Sequence, residues 1–133
     1  MESRSFLLDT NILLHALLEP ERLPQATQAD LSNAGNRVIC SVASLWEIAI
    51  KASLNRPDFN FSSADIEALA IETGFELLPI LPEHCHEVAA LPWHHRDPFD
   101  RLLVAQTLRL PAYLLTTDRL LPPYSSLIRL IAI

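Results

Sequence analysis

Hydrophobic and polar positions along the chain fall into two alternating patterns. Short, continuous apolar runs at residues 5–8 and 112–117 predict strands that are buried on both faces of a sheet. Residues 37–40, 75–80 and 127–133 carry weaker versions of the same pattern. The chain is therefore expected to contribute several short strands to one sheet.

Helical periodicity occupies the segments between these runs. Helices are predicted at residues 11–18, 21–34, 42–54, 64–73, 83–90 and 98–110. Because strands and helices alternate, the pattern indicates an α/β fold with an open, mainly parallel sheet that is covered by helices on both faces.

The composition agrees with one domain. Half of the 133 residues are apolar, which is enough to bury a core, and no repeat or linker divides them, so residues 1–133 are expected to form a single domain. Asp9, Asn11 and His15 interrupt the apolar start of the chain. That interruption argues against a signal peptide or a membrane span and favours a cytoplasmic protein.

The net charge of −6 argues against a protein that holds nucleic acid through a broad positive surface. It does not argue against a nuclease that works through a bound metal ion. Arg96, Arg101 and Arg119 stand beside acidic residues in the sequence, and arginine is well suited to bind phosphate oxygens or the carboxylates of a partner.

Two carboxylates follow the two strongest strand patterns. Asp9 ends the first apolar run and Asp118 ends the run at residues 112–117. In open parallel sheets the functional crevice lies outside the carboxyl ends of the strands, so these two acids are expected to lie close together.

A third carboxylate comes from the start of the last predicted helix, "DPFD". Asp97 is a suitable N-cap, Pro98 fits the first helical position, and Asp100 occupies the first turn. Asp100 shares a helical face with Leu103 and Val104, which predicts that it points toward the sheet and its crevice. Asp97 instead is expected to position this helix.

Glu47 is the fourth candidate and lies in an apolar helical segment. A carboxylate there needs a partner or a cation, and Lys51, one turn later, is as good an explanation as a metal ion. Trp46 beside it is expected to pack in the core, and Trp93 against a loop.

Asp9, Glu47, Asp100 and Asp118, here named the acidic cluster, form a set of oxygen ligands suited to Mg²⁺ or Mn²⁺. Such an ion neutralises the acids, orients a phosphate and activates water, which predicts phosphodiester hydrolysis. Asn11 and Thr117 are candidate supporting residues, although Asn11 is also a suitable N-cap for the first helix. The histidines of "HHRD" are candidate proton carriers without a firm assignment.

These motifs together resemble those of the PIN-domain ribonucleases, particularly the VapC-type toxins of bacterial toxin–antitoxin pairs. The resemblance rests on "LLDTNILL", Glu47 in a middle helix, "HHRDPFDRLLVAQT" and "LLTTDRLL", in that order along nearly the whole chain. It implies a three-layer α/β/α fold and Mg²⁺- or Mn²⁺-dependent cleavage of RNA. It further implies that Asp9 and Asp100 are the principal metal ligands, with Glu47 and Asp118 completing the site directly or through water. A homodimer and a VapB-type antitoxin partner are also implied.

Two alternatives remain at this stage. A phosphotransferase of the haloacid-dehalogenase type also begins with an aspartate after its first strand, but its usual second aspartate is Asn11 here. An acidic, receiver-like Mg²⁺-binding domain without nuclease activity would need an acceptor aspartate after a middle strand and a late lysine. The chain has no lysine after Lys51.

Overall fold

A computed structural model describes residues 3–133 and contains a five-stranded sheet in which each neighbouring pair of strands is parallel. The strands are β1 Ser5–Leu8, β2 Arg37–Ser41, β3 Glu76–Leu78, β4 Tyr113–Thr116 and β5 Ile128–Leu130. Their order across the sheet is β3, β2, β1, β4, β5. The chain thus builds outward from β1 to one edge and then returns to the other side of β1, so the strand order reverses between β1 and β4.

Helices cover both faces of this sheet. They are α1 Thr10–Leu18, α2 Gln25–Ser32, α3 Val42–Ser53, α4 Ser63–Thr73, α5 Pro82–Ala90 and α6 Pro98–Arg109. Alternate residues of β1 enter separate cores: Phe6 and Leu8 pack with residues of α1 and α4, whereas Leu7 packs with residues of α6. The expected three-layer α/β/α fold is therefore confirmed.

The predicted helix at residues 21–34 is wrong as a single element. The structure has one turn of 3₁₀ helix at Pro20–Arg22, an extended Leu23, and then α2, whose N-cap is Pro24. Proline lacks the amide hydrogen that a continuous helix needs, and it disfavours helical dihedral angles in the residue before it. Pro24 therefore divides a segment that helical periodicity alone would join.

The prediction that Trp46 belongs to the core is also wrong, since 54% of this residue is exposed. Ser44 and Ile48 are buried on α3, and Trp46 is two residues from each of them. Two residues turn a helix by roughly 200°, which places Trp46 on the outer side. There its ring meets Phe99 edge-on, with 4.9 Å between the ring centroids.

Within residues 3–133, no helix combines the length and the apolar character that crossing a membrane would require.

Candidate active site

The four carboxylates of the acidic cluster lie at the carboxyl edge of the sheet. Asp9 directly follows β1, and Asp118 lies two residues beyond β4, on either side of the point where the strand order reverses. Glu47 comes from α3, and Asp100 from the first turn of α6. All four line one cleft with a volume of about 300 Å³. The structure thus brings together the residues that the sequence analysis selected.

Asp9 is buried, and backbone and side-chain donors hold both of its oxygens. The Thr10 amide donates to Oδ1 at 2.7 Å, and the Thr116 hydroxyl donates to Oδ2 at 2.6 Å. Burial raises the pKa of Asp9, although these two hydrogen bonds oppose the shift. Asp9 is also the N-cap of α1, so the prediction that Asn11 has this role is wrong. The helix begins one residue earlier because the carboxylate after β1 already accepts the first free amide.

Glu47 has two partners, and one of them is the lysine that the sequence suggested. The Lys51 ammonium lies 2.9 Å from Oε2, and the Thr10 hydroxyl donates to Oε1 at 2.7 Å. The pairing with Lys51 therefore exists, but it does not remove Glu47 from the cleft, which Lys51 also lines. Thr10 was not predicted as a site residue. Its position directly after Asp9, in the first turn of α1, is the signal that places it between two acids.

The two aspartates of "DPFD" have different surroundings. Asp97 is the N-cap of α6, and its Oδ1 accepts hydrogen bonds from the amides of Phe99 at 2.8 Å and Asp100 at 3.2 Å. The carboxylate of Asp100 instead faces the cleft. Burial, followed by repulsion from Asp9 and Asp97, raises the pKa of Asp100 to about 8.

Asp118 lies closer to solvent and has a different electrostatic balance. Burial alone raises its pKa, but the Leu120 amide, which donates to Oδ1 at 2.9 Å, and the ring of His95 outweigh that effect and lower the pKa. Asp100 and Asp118 are therefore neighbouring carboxylates with opposite shifts in pKa.

His95 is the functional side chain that the sequence analysis left unassigned. Its Nδ1 accepts a hydrogen bond from the Asp97 amide at 3.0 Å, which assigns the ring hydrogen to Nε2. Nε2 lies 2.7 Å from Oδ2 of Asp118 and 3.2 Å from Oδ2 of Asp100. One potential ligand atom from each of the three residues lies within 4.8 Å of the others. A histidine two residues before an N-cap aspartate is a sequence signal for the contact with the Asp97 amide, but not for the contact with Asp118.

The interpretation of Arg101 as a phosphate or partner contact is wrong, because this residue is only 4% exposed. Its guanidinium group donates to the carbonyl oxygens of Val88 and Pro92, among others, and to the hydroxyl of Tyr124. It also stacks on the ring of Trp93, 4.0 Å from its centroid, although 77% of Trp93 is exposed. Arg96 and Arg119 are exposed.

The candidate supporting residues Asn11 and Thr117 line the mouth of the cleft. The Asn11 amide donates to the Thr117 hydroxyl at 3.3 Å. Both side chains thus present polar groups next to the acidic cluster without contacting its carboxylates directly in the described residues.

The residues present fit a hard divalent cation. The cleft offers carboxylate and hydroxyl oxygens and no cysteine, which is the ligand chemistry that Mg²⁺ and Mn²⁺ prefer. Burial and, after it, the nearby carboxylates of Asp9, Asp97, Asp118 and Glu47 raise the pKa of Asp100, so negative charge is concentrated around it. A cation at this position would offset that charge.

The chain is similar to a known protein family and to several solved structures. The model of the PIN domain family matches residues 6–123. Among solved structures, VapBC2 from Rickettsia felis bound to a DNA fragment is similar, with a TM-score of 0.70 and 14% identity over 96% of this chain and 99% of that chain. A comparison with curated protein sequences gave no match.

Two further solved structures show the same likeness. VapBC-1 from nontypeable Haemophilus influenzae has a TM-score of 0.59 and 20% identity over 86% of this chain and 87% of that chain. VapBC-5 from Mycobacterium tuberculosis has a TM-score of 0.57 and 18% identity, with coverage of 97% and 98%. At these low sequence identities, the structural likeness supports the fold alone. The family model includes all four residues of the acidic cluster. The chain belongs to the PIN domain family.

Proposed function

We propose that this protein is a Mg²⁺- or Mn²⁺-dependent endoribonuclease that hydrolyses RNA phosphodiester bonds. The observation that carries the proposal is the convergence of the acidic cluster in one cleft at the carboxyl edge of the sheet. Membership of a nuclease family supports the reaction class. Hydrolysis of a phosphodiester needs neutralisation of the phosphate and an activated water, and a cluster of carboxylates can provide both only with a cation.

In this proposal Asp9 and Asp100 hold the ion, and Glu47 and Asp118 complete the site directly or through water. When bound, the ion supplies charge neutralisation, orientation of the phosphate and activation of water. The protein supplies rigidity, because Asp9 is fixed by the Thr10 amide and the Thr116 hydroxyl.

Other side chains prepare the cleft for its substrate. The Thr10 hydroxyl and the Lys51 ammonium orient Glu47 from opposite sides. Asn11 and Thr117, at the cleft mouth, can exchange their mutual hydrogen bond for contacts with phosphate or ribose oxygens. Asp97 caps α6 and so fixes the first turn of this helix, from which Asp100 reaches the cleft.

We further propose that the protein is the toxin of a VapBC-type pair, inhibited by a VapB-type antitoxin, in the cytoplasm. The similar solved structures from Rickettsia, Haemophilus and Mycobacterium are VapBC proteins, which supports this assignment. The net charge of −6 is compatible with a partner that carries a basic segment. A homodimer follows from the same resemblance and stays a prediction.

The experiment that tests the nuclease proposal compares the wild type with Asp9→Asn and Asp100→Asn on mixed RNA. We expect the wild type to cleave RNA with Mg²⁺ or Mn²⁺ and to stop when EDTA is added. Each variant should lose at least 100-fold in cleavage rate while keeping its circular dichroism spectrum, because the amide retains the shape and removes the anionic ligand. A wild type that binds the ion and leaves every RNA intact would instead support the receiver-like alternative.

A further inference from the structure

The segment between α5 and α6, residues 91–97, is held by a buried arginine. Arg101 lies on α6 and has no carboxylate within salt-bridge distance among residues 3–133. Its guanidinium donors are directed to the carbonyl oxygens of Val88, Leu91, Pro92 and His95. A buried cation satisfied by backbone carbonyls is an anchor for the chain that carries them, so Arg101 fixes the path of this segment.

Tyr124, in the 3₁₀ turn Pro122–Tyr124, completes the anchor. Its hydroxyl accepts a hydrogen bond from the His95 amide at 2.9 Å and one from the Arg101 guanidinium at 3.1 Å. The backbone of His95 is therefore held at both of its polar atoms, since Arg101 also reaches its carbonyl oxygen at 3.4 Å.

The ring of His95 is oriented in the same way. Nδ1 accepts from the Asp97 amide, so Nε2 carries the hydrogen and directs it at the acids. The two carboxylate oxygens that it faces belong to Asp118, after β4, and Asp100, on α6. Nε2 thus lies between an acid that follows β4 and an acid on α6.

We propose that His95 is a positioning residue of the metal site: its Nε2–H donates to the Asp118 carboxylate and lies beside that of Asp100, which keeps the two acids side by side so that both can receive the same divalent ion. When an ion binds, both acids are ionised and would repel each other, and a donor beside both offsets part of that repulsion. Partners of this kind behind metal-binding carboxylates commonly contribute 10- to 100-fold to metal affinity. The inference rests on the metal site of the proposed function but not on RNA cleavage.

Two substitutions separate the contact with the acids from the contact with the Asp97 amide. The shorter side chain in His95→Asn places its amide oxygen near Nδ1, so it can still accept from the Asp97 amide but no longer reaches the acids. His95→Gln places its amide nitrogen near Nε2, so it keeps a donor to the acids and gives up the acceptor. Mn²⁺ affinity is measured for both variants by isothermal titration calorimetry, without any substrate.

The proposal expects His95→Asn to bind Mn²⁺ at least tenfold more weakly than the wild type and His95→Gln to stay within about threefold. Unchanged affinity in His95→Asn would overturn it, and so would a loss in His95→Gln as large as that in His95→Asn, because the donor that His95→Gln retains would then make no difference. His86→Asn is the matched control, because this exposed histidine on α5 does not line the cleft and is expected to leave the affinity unchanged.

If His95→Asn does not fold, a substitution at Tyr124, which contacts the backbone of His95, tests the same proposal. Tyr124→Phe removes only the hydroxyl that accepts from the His95 amide, and it should lower Mn²⁺ affinity by about threefold or more. Unchanged affinity in a folded Tyr124→Phe protein would overturn the proposal. If the wild type binds Mn²⁺ in this way but does not cut RNA, the proposed nuclease function fails while the role of His95 stands.

Discussion

Asp97 and Asp100 show how position decides the chemistry of identical side chains. Asp97 precedes the first helical residue, so its carboxylate turns back onto the free amides of α6. Asp100 lies one turn later with its own amide already bonded, and its carboxylate enters the cleft. The N-cap and first-turn positions in "DPFD" were therefore enough to distinguish the roles of Asp97 and Asp100 from the sequence.

The raised pKa of Asp100 leads to a prediction about the metal-free protein. In EDTA, Asp100→Asn should be more stable than the wild type at pH 8, because the amide removes a carboxylate that burial and neighbouring acids disfavour. Urea unfolding at pH 5 and pH 8 measures the difference. The difference should be smaller at pH 5 and should grow by a few kcal/mol between pH 5 and pH 8, on the order expected for a shift of this size.

The sign of this pH dependence follows from proton binding. Between the unfolded pKa of 3.8 and the folded value of about 8, folded Asp100 holds a proton that the unfolded chain has lost, so stability falls as pH rises. The raised pKa of Asp9 acts in the same direction. The lowered pKa of Asp118 acts in the opposite direction, but only below the ordinary pKa of an aspartate. Equal pH slopes for wild type and Asp100→Asn would contradict this account.

At the scale of elements, the start of α6 connects helix stability to the site. Asp97→Ala removes the N-cap and should cost about 1 kcal/mol of unfolding free energy, and it should weaken Mn²⁺ binding because the turn that carries Asp100 loosens. Asp97→Asn keeps a capping oxygen and is the matched control.

Urea unfolding and calorimetry with Mn²⁺ measure both effects. We expect Asp97→Asn to stay close to the wild type in stability and in affinity. If Asp97→Ala kept full stability, Asp97 would not act as the cap; if Asp97→Asn lost as much affinity as Asp100→Asn, Asp97 would be a ligand.

Most elements could be predicted because local patterns determine them. Helices α3, α4 and α6 end within one residue of their predicted ends, and each begins at a side-chain cap, namely Ser41, Ser62 and Asp97. The edge strands β3 and β5 are shorter than their apolar runs, because a strand extends only as far as its single neighbour pairs with it. At Pro24, helical periodicity predicted a continuous helix and the proline predicted a break, and the structure follows the proline.

At the scale of the whole molecule, the reversal of strand order explains why the site lies where it does. Asp9 and Asp118 follow β1 and β4, which are neighbours only because the chain returns to the centre of the sheet. The parallel order made their convergence predictable from sequence. The contact of His95 with Asp118, and the burial of Arg101 against Tyr124, depend on how distant loops pack, and no local pattern encodes such a contact.

The ion held by the acidic cluster is, in the proposed function, the one that RNA cleavage requires. The most direct test measures the RNA cleavage rate and the calorimetric occupancy by Mn²⁺ on one preparation, as functions of Mn²⁺ concentration. We predict that both curves share one midpoint, and that Asp100→Asn moves the binding curve to higher concentration and abolishes cleavage. Cleavage that persists in EDTA, or that survives in Asp100→Asn, would contradict the claim.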